Sequence, residues 1–215
     1  MGIWEKTLFK GQSDISGEVR VVENSGSRRL VVAGYIQSQN VRPDGSVGYP
    51  LWENLIPPQI SLNKDARVLF LGLGAGTTAK LLLKKFNWIT IDGVEVDPLI
   101  VWLGKKYFAL NEPNLNVIVG DAAKYVKEAR YKYDFICVDT FKGKEIPKEI
   151  ETRQFFQSVK NLLKKDGWVS INKIFSGEKQ QKEFEDLVSS VFSNVGTIFL
   201  RSATHLDNMI IYAKY

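Results

Sequence analysis

The 215-residue sequence predicts an α/β protein. Its main part reads as a doubly wound, largely parallel sheet closed by a C-terminal antiparallel hairpin, with a small β-rich region in front. Three observations predict this. From Lys64 onward, short apolar runs that end in Gly or an acidic residue alternate with helical patterns. The first run, Val68-Leu69-Phe70-Leu71, is continuously apolar, as a strand buried on both faces should be. The last two runs, Val195 to Leu200 and Met209 to Tyr212, have no helix between them and should therefore pair antiparallel.

The elements follow in order. Residues 18–36 read as two strands, with Val19 and Val21 before the turn Asn24-Ser25-Gly26-Ser27 and Val31-Val32 after it. Residues 40–48, with Pro43, Asp44, Gly45 and Gly48, form a loop. Leu51 to Ile60 is apolar but broken by Pro57-Pro58, so it forms at most a short helix. Val68 to Leu71 runs into Gly72-Leu73-Gly74-Ala75-Gly76, and Thr77 to Phe86 has helical spacing. Ile89 to Val94 is a strand ending at Glu95, after which Pro98 opens a helix in its first turn. Val117 to Val119 is a strand ending at Asp121, with a helix through Val126. Phe135 to Val138 is a strand ending at Asp139. Glu149 to Leu163 is a helix stopped by Asp166-Gly167, Trp168 to Ile171 a strand, and Glu178 to Phe192 a helix.

Composition narrows the function classes. Hydrophobic residues make up 44% and charged residues 25%, which excludes wholesale disorder, collagen-like repeats and coiled coil. The net charge of +5 is compatible with nucleic acid or another acidic partner without requiring one, because the lysines are dispersed. Cys137 is the single cysteine and His205 the single histidine, so neither a disulfide nor a structural zinc site can form, and no metal is expected. A Ser-His-Asp hydrolase built on His205 is the weaker alternative. No apolar run approaches the ~20 residues of a membrane span. The N-terminus has neither a signal-peptide layout nor a myristoylation pattern, so a cytoplasmic protein without membrane contact is expected.

The chemistry should sit at the carboxyl ends of the strands, where ligands bind in open α/β sheets. Gly72, Gly74 and Gly76 allow positive φ and a close approach of backbone N–H groups to a ligand, although a tight strand-to-helix turn would also need them. Glu95, about 20 residues on, stands where a carboxylate accepts the ribose hydroxyls of an adenosine; it could equally be a helix N-terminal charge. Asp121, followed by Ala122, could accept from the exocyclic amine of adenine or cap a helix. Asp139 should face the cleft, since an unpaired buried carboxylate would be too costly, although it could equally be a cap or turn residue. A dinucleotide dehydrogenase would show a third glycine in G-x-G-x-x-G, and there is none from Thr77 through Phe86. The closing helix–strand–strand order suits a methyltransferase sheet better.

These residues resemble the spermidine synthase-like branch of the class I S-adenosylmethionine-dependent methyltransferases, from about Gly17 onward. Gly34-Tyr35-Ile36-Gln37-Ser38 resembles the Asp-Gly-x-x-Gln segment of that family's N-terminal hairpin, and Tyr49 its following tyrosine. Val68 to Gly76 resembles the cofactor glycine loop, Gly93 to Pro98 the ribose-binding strand end, and Gly120-Asp121-Ala122 the adenine-binding segment. Asp134 to Phe141, Ile146-Pro147 and Thr152 to Phe156 resemble short family members. The resemblance implies a Rossmann-like seven-stranded methyltransferase sheet over residues 61–215 and a small β-hairpin domain over 1–60. It implies that S-adenosylmethionine, or its decarboxylated form, is bound by Gly72, Gly74, Gly76, Glu95, Asp121, Ala122 and Gln37. It implies an acceptor, small molecule or macromolecule, at Tyr49, Thr140 and Phe141, with Asp139 as the catalytic group, and a homodimer.

The departures from the family decide the reaction expected. Aminopropyltransferases carry an aspartate where Ala75 stands, and it holds the ammonium of the decarboxylated donor. An intact donor would be repelled by that carboxylate, by about 1 to 4 kcal/mol at close range. Tyr49 is followed by Pro50-Leu51 where His-Glu is usual. Only the first aspartate of the family's Asp-Ser-x-Asp-Pro motif survives, as Asp139, followed by Thr140-Phe141-Lys142-Gly143. Lys142 and Lys144 would disfavour a polycation, while Phe141 would suit an apolar or aromatic acceptor. The sequence therefore points to a methyltransferase, with a polyamine aminopropyltransferase as the alternative and a non-catalytic nucleotide- or RNA-binding protein as the third.

Overall fold

The computed structural model describes residues 5–141, 147–175, 177–201 and 207–215. Lys142, Lys144 and Ile146, like His205, lie outside them.

The first forty residues hold four strands where the sequence suggests two. β1 (Lys6–Ser13), β2 (Gly17–Asn24), β3 (Ser27–Val32) and β4 (Tyr35–Gln39) form an antiparallel meander in that order. Two of its turns are Ser25-Gly26 and Ala33-Gly34, with positive φ at both positions, the backbone that matches hairpin twist. β1 escapes the sequence pattern because it is an edge strand, half exposed, paired to β2 and with only Leu8 and Phe9 packed, partly buried, against the core. β2 and β3 bury Val19, Val21, Leu30 and Val32 against Ile100, Leu103 and Phe108 of helix α3 (Pro98–Phe108). The small sheet thus sits on the helix that follows the second strand of the large one.

The large sheet contains β5 (Arg67–Leu71), β6 (Thr90–Glu95), β7 (Leu115–Val119), β8 (Tyr133–Val138), β9 (Leu163–Ile174), β10 (Ser193–Leu200) and β11 (Asn208–Lys214). Their order is β10-β11-β9-β8-β5-β6-β7. The β7-β6-β5-β8-β9 pairings are parallel, and β11 runs antiparallel between β9 and β10. This is the expected doubly wound sheet with its closing hairpin. One face packs on α4 (Ala122–Glu128), α5 (Arg153–Leu162) and α6 (Glu178–Ser189). The other packs on α1 (Leu51–Asn54) and α2 (Thr77–Lys85).

The fifth helix is shorter than the sequence suggests. It starts at Arg153 rather than Glu149, where Thr152 caps it by accepting from the Phe155 N–H, and it ends at Leu162, one residue before the expected Leu163. Leu163 leaves the helix because its side chain is buried and its backbone pairs with Tyr133 of β8. The Asp166-Gly167 pair then lies inside β9, with Asp166 at a φ of 63°, next to an irregularity in the β8–β9 register.

Candidate active site

The carboxyl ends of β5, β6 and β8 open on a cavity of about 350 Å³. The strand-to-helix loop after β5 forms its floor. Two of its glycines are fixed by close approach. A Cβ on Gly72, which has a φ of +87°, would lie 2.2 Å from the backbone oxygen of Asp139, and one on Gly74 would lie 2.7 Å from Ser38 Oγ. No side chain fits at either place.

The end of β4 clamps this loop. Ser38 Oγ accepts from the Ala75 N–H at 2.9 Å. Thr77 Oγ1 accepts from the Gln39 N–H at 2.9 Å and donates to the Gln39 carbonyl at 2.7 Å. Ser13, at the end of β1, donates to Asp97, whose other oxygen caps α3 at the Leu99 N–H. The small sheet is therefore tied to the site at two points, and Gln37 and Ser38 become cavity walls.

Glu95 ends β6 and is 7% exposed. One carboxylate oxygen accepts from the Gly74 N–H at 2.9 Å and the other from the Asp97 N–H at 3.1 Å. Burial pushes its pKa up, against these backbone hydrogen bonds. Each oxygen has a further lone pair, so Glu95 can brace the glycine loop and still accept ligand hydroxyls. Asp121 caps α4 by accepting from the Lys124 N–H at 2.8 Å and also lines the cavity, beside Gly120 and Ala122.

Asp139, Thr140 and Phe141 follow β8 and line the opposite side. Burial pushes the Asp139 carboxyl up to about 6, opposed by a 2.8 Å hydrogen bond from Asn172 Nδ2. Thr140 Oγ1 is buried with no hydrogen-bond partner among the described residues, so a ligand is free to satisfy it.

Most sequence-predicted site residues thus converge: Gly72, Gly74, Glu95, Asp121, Ala122, Gln37, Asp139, Thr140 and Phe141 line one cavity. Gly76 stands behind the wall as the left-handed N-cap of α2, against Leu110. Tyr49 is also set back: its hydroxyl donates to Asn208 and its ring meets Trp52 edge-on. Ala75 is 1% exposed and packs with Val19, Leu30, Ile100 and Leu103.

Sequence reasoning missed Ser38, Trp52, Glu149, Asn172 and Asn208. The first three are cavity walls. Asn172 could have been found by the rule that found Asp139, a polar residue closing an apolar strand. Asn208 could not, because β11 runs antiparallel and brings its start, not its end, to this edge. The cavity walls carry four carboxylates, Glu95, Asp121, Asp139 and Glu149, and no Lys, Arg or His among the described residues. The site is acidic although the chain is basic, so it favours a cationic ligand. No helix among the described residues is long and apolar enough to cross a membrane.

The sequence profile of the spermine/spermidine synthase domain matches residues 57–215. Over 133 residues the chain is 35% identical to a polyamine aminopropyltransferase of Vibrio vulnificus, covering 60% of this chain and 44% of that protein. Over 172 residues it is 30% identical to a putrescine N-methyltransferase of Nicotiana tabacum, covering 77% of this chain and 47% of that one. The chain spans about half the length of these curated relatives. The spermidine synthase of Thermotoga maritima has the same fold, with a TM-score of 0.80 at 21% identity, over 97% of this chain and 72% of that one.

Proposed function

We propose a reaction for this chain from one premise: it belongs to the spermine/spermidine synthase family. It is a transferase that takes an S-adenosyl sulfonium donor and an amine acceptor, and the group it transfers is methyl. The residues present fit such a donor. Gly72 and Gly74 form a cradle that any Cβ would fill, Glu95 offers lone pairs to a ribose, and Thr140 holds an orphaned hydroxyl. Bound there, the donor supplies an electrophilic carbon next to its sulfonium.

Ala75 is the observation that carries methyl over aminopropyl transfer. Its side chain is enclosed by apolar neighbours, so the glycine loop offers no carboxylate to an aminopropyl ammonium. The first turn of α2 has no side-chain cap, and Thr77 and Thr78 line the cavity. The N–H groups of that turn are suited to a donor carboxylate.

The acceptor amine must lose a proton before its lone pair can attack, and Asp139 is the group assigned to take it. With its pKa raised to about 6 from 3.8 by burial, proton transfer from an ammonium is about 3 kcal/mol less uphill than to an ordinary aspartate. Glu149 and Asp139, both in the cavity wall, would hold the acceptor's positive charge.

A second reading is aminopropyl transfer. It is favoured by the likeness to the Vibrio vulnificus relative and by the lack of a basic wall residue, among those described, to pair with a donor carboxylate. Titration calorimetry with S-adenosylmethionine and its decarboxylated form separates the two. Tighter binding of the intact donor is expected; tighter binding of the decarboxylated one would replace the first reading with the second.

A further inference from the structure

Behind Asp139 the structure holds a run of hydrogen bonds that the reaction above does not use. Asn172 Nδ2 donates to Asp139 Oδ1 at 2.8 Å, Asn208 Nδ2 donates to Asn172 Oδ1 at 3.0 Å, and Tyr49 Oη donates to Asn208 Oδ1 at 3.2 Å. We propose that Asn172, Asn208 and Tyr49 act as one chain of positioning residues that fixes the Asp139 carboxylate for the acceptor. The inference rests on Asp139 being the group that meets the acceptor.

The direction of the chain follows from its end. An ionised carboxylate only accepts, so Asn172 must present its amide nitrogen to Asp139. That leaves its oxygen to accept, so Asn208 must also donate through nitrogen. The oxygen of Asn208 then needs a donor, and the Tyr49 hydroxyl supplies one. The sheet makes this geometry. Asn172 lies opposite Ile210 and Asn208 opposite Ile174, so the two amides share one face, diagonally across β9 and β11. They are 2% and 4% exposed, which leaves little water to compete.

Burying two primary amides costs free energy unless each finds partners. An apolar pair would close this strand edge as well, so the amides need a reason, and the carboxylate supplies it. With Oδ1 engaged by Asn172, Asp139 presents one oxygen from a fixed rotamer. Tyr49 extends the chain to the segment joining the small sheet to α1, and its ring meets Trp52, a cavity wall. The placement of that segment is thereby coupled to the orientation of the base.

The titratable groups around the chain are few. On β8 the Cys137 thiol is pushed well up by burial and stays neutral. Glu95, Asp121 and Glu149 share the cavity with Asp139, and Asp207 faces Tyr49. None of these supplies a positive charge that would hold Asp139 ionised.

The test is a carboxyl-carbon NMR titration of Asp139 in the full chain, with calorimetry of S-adenosylmethionine binding. Asn172→Leu should raise the Asp139 midpoint by about one to two pH units, the equivalent of one hydrogen bond to a charged group. Asn208→Leu should raise it less, and Tyr49→Phe by a few tenths of a unit, with donor affinity unchanged in all three. Tyr49→Phe deletes a single oxygen and keeps the test decisive if the buried variants fail to fold. An unmoved midpoint in folded Asn172→Leu or Tyr49→Phe protein would overturn the proposal, and a parallel fall in donor affinity would reassign the chain to the donor site. Failure of the methyl-transfer reading shows differently, as a reversed donor preference with the titration shifts intact.

Discussion

Replacing Asp139 by asparagine separates what the site costs from what it does. In the native protein burial pushes the carboxyl from 3.8 to about 6, with only the Asn172 hydrogen bond opposing it. A raised acid pKa means that the native state binds its proton more tightly than the unfolded chain. Stability then falls as pH rises from about 4 to about 6 and stays lowered above that. A shift of about two units corresponds to about 3 kcal/mol. The substituted amide would keep the shape and the oxygen that accepts from Asn172, and remove the charge. Asp139→Asn is therefore expected to be more stable than the native chain by up to about 3 kcal/mol near pH 7.5, with no gain near pH 4. Urea unfolding at the two pH values measures this. Turnover with an amine acceptor should fall by about 10²–10⁴-fold in the same variant. A gain of equal size at both pH values, or a loss at pH 7.5, would refute the argument from buried charge. Unchanged turnover would remove Asp139 from the chemistry.

Three further outcomes follow from the same structure. Glu95→Ala should weaken donor binding by about 1.5–3 kcal/mol, because it removes acceptors for the ribose and frees the Gly74 and Asp97 N–H groups it now binds; calorimetry that finds full affinity in a folded variant would take Glu95 out of the site. Gly72→Ala should abolish donor binding and destabilise by more than about 2 kcal/mol, since its Cβ would meet the Asp139 backbone at 2.2 Å and its φ is +87°; a near-native melting temperature would contradict this. Arg67→Leu should cost about 3–5 kcal/mol by removing the ionic partner of the buried Asp92. Burial pushes the Asp92 pKa up, and its bonds from Arg67, Asn116 and Tyr133 outweigh this and hold it below 3.8, so the stability it contributes is full above that pH and lost in stronger acid. A penalty for Arg67→Leu that is the same in strong acid as at neutral pH would argue against this.

The parallel core of the fold was legible because burial on both faces leaves apolar runs, and because these runs end in residues that line the cavity. That is how Gly72, Glu95, Asp121 and Asp139 could be picked out as one constellation. The small sheet was less legible: β1 is a half-exposed edge strand, and β4 follows a two-residue turn that hides in Ala33-Gly34. The start of α5 was placed at Glu149 instead of Arg153, where the Thr152 cap sets it, and Asp166-Gly167 reads as a helix stop while it lies within β9. Ser38, Trp52 and Asn208 were out of reach for another reason. They enter the site region through long-range packing and antiparallel pairing, which no local pattern records. The loop lysines, Lys142 and Lys144, lie outside the described residues, and the charged cavity walls nearest them in sequence are Asp139 and Glu149.

Methyl transfer from an intact S-adenosyl donor to an amine in this acidic cleft is tested most directly by a competition. The full chain is given equal amounts of S-adenosylmethionine and its decarboxylated form with putrescine as acceptor, and the product is weighed by mass spectrometry. The expected product is an acceptor heavier by one methyl in place of a hydrogen, with little of the aminopropyl product. An acceptor carrying mainly an aminopropyl group would contradict methyl transfer and make Ala75 a substitution without the consequence argued for it.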